Sequence, residues 1–171
     1  VRDLPIIDFL DPYYKVHQLV VKDVKYDVNF ASVPSVDRCT SCHLGIDNPD
    51  FADAPQPYTA HPRLDLYVSS SSAHTMDQFG CTSCHAGRAR GTSFVSSSHT
   101  PGSIEQEEEW KEKYDWEKIH HWLQPMLPTK YTQASCFNCH QSQPIVEGGD
   151  KLALGLGLIS TSGCNNCHHI E

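Results

Sequence analysis

Cys81-Thr82-Ser83-Cys84-His85 is the stretch that decides how the rest of this chain is read, because it recurs. Cys39-Thr40-Ser41-Cys42-His43 repeats it letter for letter. Cys136-Phe137-Asn138-Cys139-His140 and Cys164-Asn165-Asn166-Cys167-His168 repeat its spacing. All eight cysteines fall in these four copies, and a histidine directly follows each second cysteine. With 11 histidines in 171 residues, four such placements arise by chance with a probability of roughly 2 in 100,000 for the template tested.

C-x-x-C-H is the attachment signature of c-type haem. Two cysteines three apart reach the two vinyl groups on one porphyrin edge and form thioethers. The next histidine is then held under the iron as its proximal ligand. Cys39, Cys42, Cys81, Cys84, Cys136, Cys139, Cys164 and Cys167 are therefore the expected attachment residues. His43, His85, His140 and His168 are the expected proximal ligands. Paired C-x-x-C knuckles also build structural zinc sites, but zinc has no use for a histidine after every second cysteine. A disulfide framework of eight cysteines predicts nothing about histidine. The spacing favours four covalently bound haem c groups.

Leu, Ile, Val and Phe supply 37 of 171 residues, about 22%, close to the level at which chains stop folding alone. Four porphyrins would supply the missing apolar bulk. The expected fold is mainly α and irregular, a few short helices and long loops wrapped around a covalent haem core, with a short β element near the N-terminus. Eleven prolines and ten glycines suit such a chain. The formal charge of -8 disfavours a nucleic-acid-binding surface and favours basic or neutral docking partners. No run of 18 apolar residues is present to span a membrane, and no signal peptide is visible before Val1. Because haem is normally attached outside the cytoplasm, a signal or anchor is expected to have been lost upstream.

Three segments are expected: a haem-free arm over 1–38, a trihaem module over 39–147, and a linker with a fourth motif over 148–171. In the arm, Val24, Tyr26, Val28 and Phe30 alternate with polar residues, which reads as a half-buried strand, with Pro5, Pro12 and Pro34 punctuating the ends. The arm packs on the haem core or docks another subunit, and its His17 reads as a surface or structural histidine. Leu44-Gly45 and Ala86-Gly87 extend two motifs to C-T-S-C-H-x-G, the glycine allowing close backbone approach beside the haem. Tyr67-Val68 followed by Ser69–Ser72, Ala73 and His74 is echoed by Phe94-Val95, Ser96–Ser98 and His99, pointing to a ligand role for at least one of these histidines. Arg88 and Arg90 are placed either to pair with propionates or to sit in solvent.

Ser103 with Gln106 forms a capping box, and Glu107–Lys111 and Glu109–Lys113 are favourable i,i+4 pairs. The helix they open is expected to run until Pro125 stops it, carrying Trp110, Tyr114 and His121 on one side and Trp116, His120 and Leu123 on another. One of His120 and His121 is expected to reach an iron, and the periodicity does not choose between them. Gly148-Gly149 with Asp150 reads as linker and N-cap. Leu152–Ile159 fits strand and helix alike.

Four motifs and a surplus of histidines make the chain resemble a multihaem c-type cytochrome of the electron-carrying kind. Gly155-Leu156-Gly157-Leu158-Ile159, followed by Ser160-Thr161-Ser162-Gly163 and the motif Cys164–His168, resembles the first helix and haem motif of a class I monohaem cytochrome c. That resemblance implies a helix over Leu152–Ile159. It also implies a methionine sixth ligand and further helices beyond Glu171, so the last domain is expected to be truncated.

The expected function is electron transfer, not catalysis: single electrons relayed along four haems between redox proteins of a respiratory chain, in the periplasm or at the cell surface, with room for a membrane tether outside this segment and for an oligomer of the chain itself. Beyond the four proximal histidines, His17, His61, His74, His99, His120, His121 and His169 remain. His61, His74, His99, His120 and His121 are the distal candidates, His61 leading for the first haem, while His169 is poorly placed beside a proximal ligand. The alternatives are a multihaem oxidoreductase with one open-coordination haem, which the lack of a C-x-x-C-K motif disfavours, and a subunit of a conducting cytochrome assembly.

Overall fold

The computed structural model describes residues 15–143 and 145–168. They fall into two compact units. The first takes in the described residues up to Gly80 together with Ala89–Ser93, and the second Cys81–Arg88 together with the described residues from Phe94 onward.

The first unit opens with a hairpin, β1 (Leu19–Val28) against β2 (Ala31–Asp37). Asn29 and Phe30 close it, both left-handed at φ 48° and 70°. A two-residue hairpin loop needs positive φ at both positions to match strand twist. Asparagine tolerates this readily. The alternation expected over Val24, Tyr26, Val28 and Phe30 holds only in part: Val24 is half-buried, but Tyr26 is exposed and Phe30 stands fully in solvent at the turn that follows Val28, whose side chain lies outside the described residues. The reason is that a two-stranded hairpin has only one covered face. What covers it is α1 (Met76–Phe79), and the side chain shut in is Val21, 1% exposed. Pro34, expected to mark a strand end, lies inside β2 opposite Lys25. It is tolerated because β2 is an edge strand with no second partner to receive an N–H.

Further along, Pro49–Phe51 forms a 3-10 turn whose N-cap Asn48 accepts the Asp50 N–H. Two short strands, β3 (Tyr67–Val68) and β4 (His74–Thr75), then pair in parallel register, Tyr67 with His74. Arg38 ties the Ala89–Ser93 segment back to this unit: its N–H donates to the Ala89 carbonyl at 2.8 Å and its guanidinium to the Arg90 carbonyl at 3.3 Å.

The second unit holds α2 (Thr82–His85), α3 (Ile104–Tyr114), a long 3-10 segment (Thr129–Asn138) and α4 (Asp150–Thr161). Half of the expected capping box is formed: Ser103 Oγ accepts the Gln106 N–H at 3.2 Å, while Gln106 Oε1 reaches one residue further back and accepts the Gly102 N–H at 2.6 Å. Lys111 pairs with Glu107, and Lys113 lies over the Tyr114 ring. Helix α3 does not reach Pro125. It ends at Tyr114 because Asp115 turns left-handed (φ 50°, ψ 41°), and the N–H groups of Asp115 and Trp116 both return to the Trp110 carbonyl. Helix α4 settles the ambiguity at Leu152–Ile159 as helix. Its N-cap is Gly149, with Asp150 as the first helical residue, where its carboxylate suits the positive end of the dipole.

The class is thus mixed: short helices, two small sheets and much loop. Among the described residues the buried apolar side chains are Val21 and Ala60, while Leu44, Ile104, Leu123, Ile145, Leu154 and Leu158 are exposed. Folded domains ordinarily close one contiguous apolar core, and the described side chains do not close one by themselves. No helix among the described residues is long and apolar enough to cross a membrane.

Candidate functional site

All four Cys-x-x-Cys-His stretches fold into the same turn. The histidine N–H donates to the carbonyl of the first cysteine at 3.0 Å for His43 and His85 and 2.9 Å for His140 and His168. The second cysteine N–H donates to that same carbonyl at 3.1, 3.2, 3.3 and 3.2 Å for Cys42, Cys84, Cys139 and Cys167. Such bifurcated i→i+3 and i→i+4 bonds make one helical turn, which places residues i, i+3 and i+4 along one face. Both thiols and the imidazole of each motif therefore share a side. All eight cysteines are thiols, with no disulfide between them. In the first unit the Asp37 carboxylate and the Cys39 thiol lie within 4.8 Å of one another.

The first motif's histidine is half-buried, and burial pushes its imidazole below the usual range, a hydrogen bond to the Pro57 backbone acting in the opposite sense. Proline has no N–H, so the acceptor is its carbonyl and the His43 ring is the donor. A ring that donates through one nitrogen keeps its other lone pair for a metal, which is the usual state of a ligating histidine. Beside His43 lies a cleft of about 240 Å³ whose wall includes His17, Thr40, Leu44 and Met76. Here the structure brings in a residue the sequence reading set aside. His17 is exposed, yet its backbone is pinned to the motif by a reciprocal pair of bonds, its N–H to Ser41 Oγ at 2.8 Å and Ser41 Oγ to its carbonyl at 3.0 Å. No local pattern links positions 17 and 41.

The glycine after each C-T-S-C-H-x does mark a close approach, but to the chain's own atoms. A Cβ at Gly45 would strike the Tyr58 carbonyl and meet Phe51 Cγ at 2.8 Å, and one at Gly87 would meet the Ser97 oxygen at 3.0 Å.

The remaining histidines differ in setting. His61, Tyr67, His74 and Phe79 form a run of ring contacts, with neighbouring centroids 5.5, 5.4 and 5.4 Å apart. His61 Nδ1 accepts the Arg63 N–H at 3.2 Å, and burial pushes this imidazole below its usual range, the Arg63 backbone and then Asp65 opposing. His74 Nδ1 is instead 3.3 Å from the Leu66 carbonyl. In the second unit Phe94 stacks on His99 at 4.3 Å and on Tyr114 at 4.2 Å, with Trp110 edge-on, and His99 Nδ1 lies 2.7 Å from the Phe94 carbonyl. His120 and His121 are exposed in the turn beyond α3, and His169 lies outside the described residues. Arg88 sits over the Trp122 ring at 5.8 Å, and Arg90 donates to Tyr26 Oη at 3.0 Å.

Three motifs share the second unit, and packing joins them in sequence. Helix α2 packs on Thr129–Asn138, and Ser135 Oγ donates to the Cys84 carbonyl at 2.6 Å. Burial raises the Cys84 thiol, and charge on Cys136 and Cys139 would raise it further, which places the second and third motifs side by side. Burial likewise raises Cys136. Thiols held protonated are slow to form disulfides, since the thiolate is the attacking species. Helix α4 packs on the same 3-10 segment, Lys151 N–H reaching Gln133 Oε1 at 2.7 Å, and leads directly into Cys164–Asn166.

These features fit a covalently attached porphyrin in donor set and in form: paired reduced thiols and an imidazole on one face of each turn, in a chain whose described residues close no apolar core by themselves. Comparison with family models, curated proteins and solved structures finds no match to this chain.

Proposed function

We propose that this chain is an electron-transfer protein of the multihaem c-type cytochrome kind, carrying four covalent haem c groups and relaying single electrons between redox proteins outside the cytoplasm. The observation that carries the reading is the fourfold recurrence of one thiol, thiol and imidazole turn, three copies of it on a connected frame. Haem, when bound, supplies one-electron iron chemistry over a range of potentials set by its axial ligands and surroundings.

The chain's residues divide the work. Cys39 and Cys42, Cys81 and Cys84, Cys136 and Cys139, and Cys164 and Cys167 hold the groups in place, and His43, His85, His140 and His168 ligate from the proximal side. His61, His74, His99, His120 and His121 form the pool for the opposite side. The Pro57 carbonyl accepts from one nitrogen of the His43 ring, which leaves the lone pair on the other nitrogen for the iron. Packing of α2 and α4 on Thr129–Asn138 ties the elements that carry the later motifs to one segment, which supports a relay among them. Leu44, Leu123, Leu154 and Leu158, exposed on the protein frame, provide the apolar surface that a porphyrin face would cover. A net charge of -8 favours basic or neutral partners.

Expression with a haem-attachment system tests this. Four haems per chain should survive denaturation, and the oxidised protein should be low-spin and nearly indifferent to carbon monoxide when reduced. Absence of covalent haem would end the reading. A high-spin haem binding one carbon monoxide per chain would move it to a catalytic cytochrome.

A further inference from the structure

Two of the five distal candidates are built alike, and the likeness extends from sequence to geometry. In Tyr67–His74 the leading aromatic packs on the histidine ring, centroids 5.4 Å apart at 39°; in Phe94–His99 the corresponding values are 4.3 Å and 6°. A serine inside each run is buried, Ser72 at 8% and Ser98 at 5% exposure. Each such serine closes a turn by donating its N–H three residues back, Ser72 to Ser69 at 3.1 Å and Ser98 to Val95 at 2.8 Å. Each run also holds a non-glycine residue in left-handed backbone, Val68 at φ 74° and Ser98 at φ 63°. Such conformations are strained and cluster where a structure must aim a group.

The shared outcome is the state of the ring. Nδ1 of His74 faces the Leu66 carbonyl, which also receives the His74 backbone N–H at 3.2 Å, and Nδ1 of His99 faces the Phe94 carbonyl. A carbonyl only accepts, so Nδ1 carries the proton and the lone pair of the neutral ring lies on Nε2. A carbonyl-bound Nδ1–H is the usual partner of a histidine that ligates metal through Nε2. The His61 ring is set the other way, its Nδ1 accepting from Arg63.

We infer that Tyr67–His74 and Phe94–His99 are two copies of one imidazole-presenting module, and that His74 and His99 are each the sixth ligand of a haem iron. This rests on the haem reading above. The test uses the haem-loaded full chain with His74→Gly, His99→Gly and the double substitution. Haem content by pyridine haemochrome should stay at that of the parent. Carbon monoxide binding by the reduced protein should rise by one per chain in each single variant and by two in the double, and added imidazole should reverse it. Should either glycine variant lose haem or fail to fold, His74→Met and His99→Met take its place. Each should raise the potential of one haem and introduce a methionine-to-iron charge-transfer band. A single variant that keeps its haem yet gains no carbon monoxide site, or a methionine variant with unchanged potentials, overturns the module. A parent chain without covalent haem defeats the underlying reading instead, and the haemochrome assay separates the two failures.

Discussion

Replacing Ala86 with glycine should stabilise this protein, against the usual direction of such a change. Ala86 follows the second motif directly and adopts φ 56°, ψ -148°, a region that only glycine enters without steric cost. The conformation is held from several sides. Ala86 N–H donates to Thr82, Ala86 bridges to Met126, Gly87 N–H reaches Gln124, and Leu127 N–H reaches the His85 carbonyl at 2.8 Å. Residues kept in such a region cost of order 1–3 kcal/mol. Glycine recovers that strain but loses about 0.4–1 kcal/mol through the greater freedom of its unfolded chain. The net gain is about 1 kcal/mol, a rise of roughly 2–4 °C in midpoint for a chain of this size. The converse lies on the other side of the motif. Gly80 has φ 67°, ψ -162°, and a Cβ there would meet Asp37 Oδ2 at 2.6 Å and Val21 Cγ2 at 2.7 Å. Gly80→Ala combines the same strain with overpacking of roughly 1–3 kcal/mol; less the roughly 0.4–1 kcal/mol that alanine recovers in the unfolded chain, the loss is about 1–5 kcal/mol in all. Thermal denaturation of the haem-loaded protein, followed by far-ultraviolet circular dichroism, measures both. An Ala86→Gly midpoint at or below the parent's, or a Gly80→Ala midpoint indistinguishable from it, would refute the backbone argument.

Three further outcomes are expected. His43 and His61 are both held below the ordinary imidazole range, burial being the first cause in each. Below about pH 6.5 the unfolded chain therefore binds protons that the folded one refuses, so stability is present above that pH and is lost as pH falls toward the folded values. In the haem-free chain, where neither ring holds an iron, the denaturation midpoint should be lower at pH 5.5 than at pH 7.5, less so in His61→Gln, and a flat or rising profile counts against burial as the cause. Cys84→Ser should leave one haem on a single thioether, seen as a shifted pyridine haemochrome band, and an unchanged band would remove that cysteine from the attachment set. Ser103→Ala should cost about 1 kcal/mol by freeing the Gln106 N–H from its cap, with Ser103→Asp restoring most of it; equal midpoints for all three would mean that the cap contributes nothing.

What was legible in the sequence is what local hydrogen bonding dictates. The four motif turns close within five residues, the Ser103 cap within four, and the Glu107–Lys111 pair within one helical turn, so each carries its own signature. The hairpin was legible as strand but only partly in phase, because which face is covered depends on α1, some fifty residues later in the chain. The end of α3 escaped because aspartate is tolerated both within helices and in the left-handed turn, and the bonds from Asp115 and Trp116 to Trp110 decided between them. Only the tertiary structure placed Cys84 beside Cys136 and Cys139, His17 on the cleft of His43, and Nδ1 of His74 and His99 against backbone carbonyls. Apolar periodicity is the sequence's main guide to such distant contacts. With Val21 and Ala60 the buried apolar side chains among the described residues, that guide carries little information here, and the long-range arrangement is written in turns and hydrogen bonds instead.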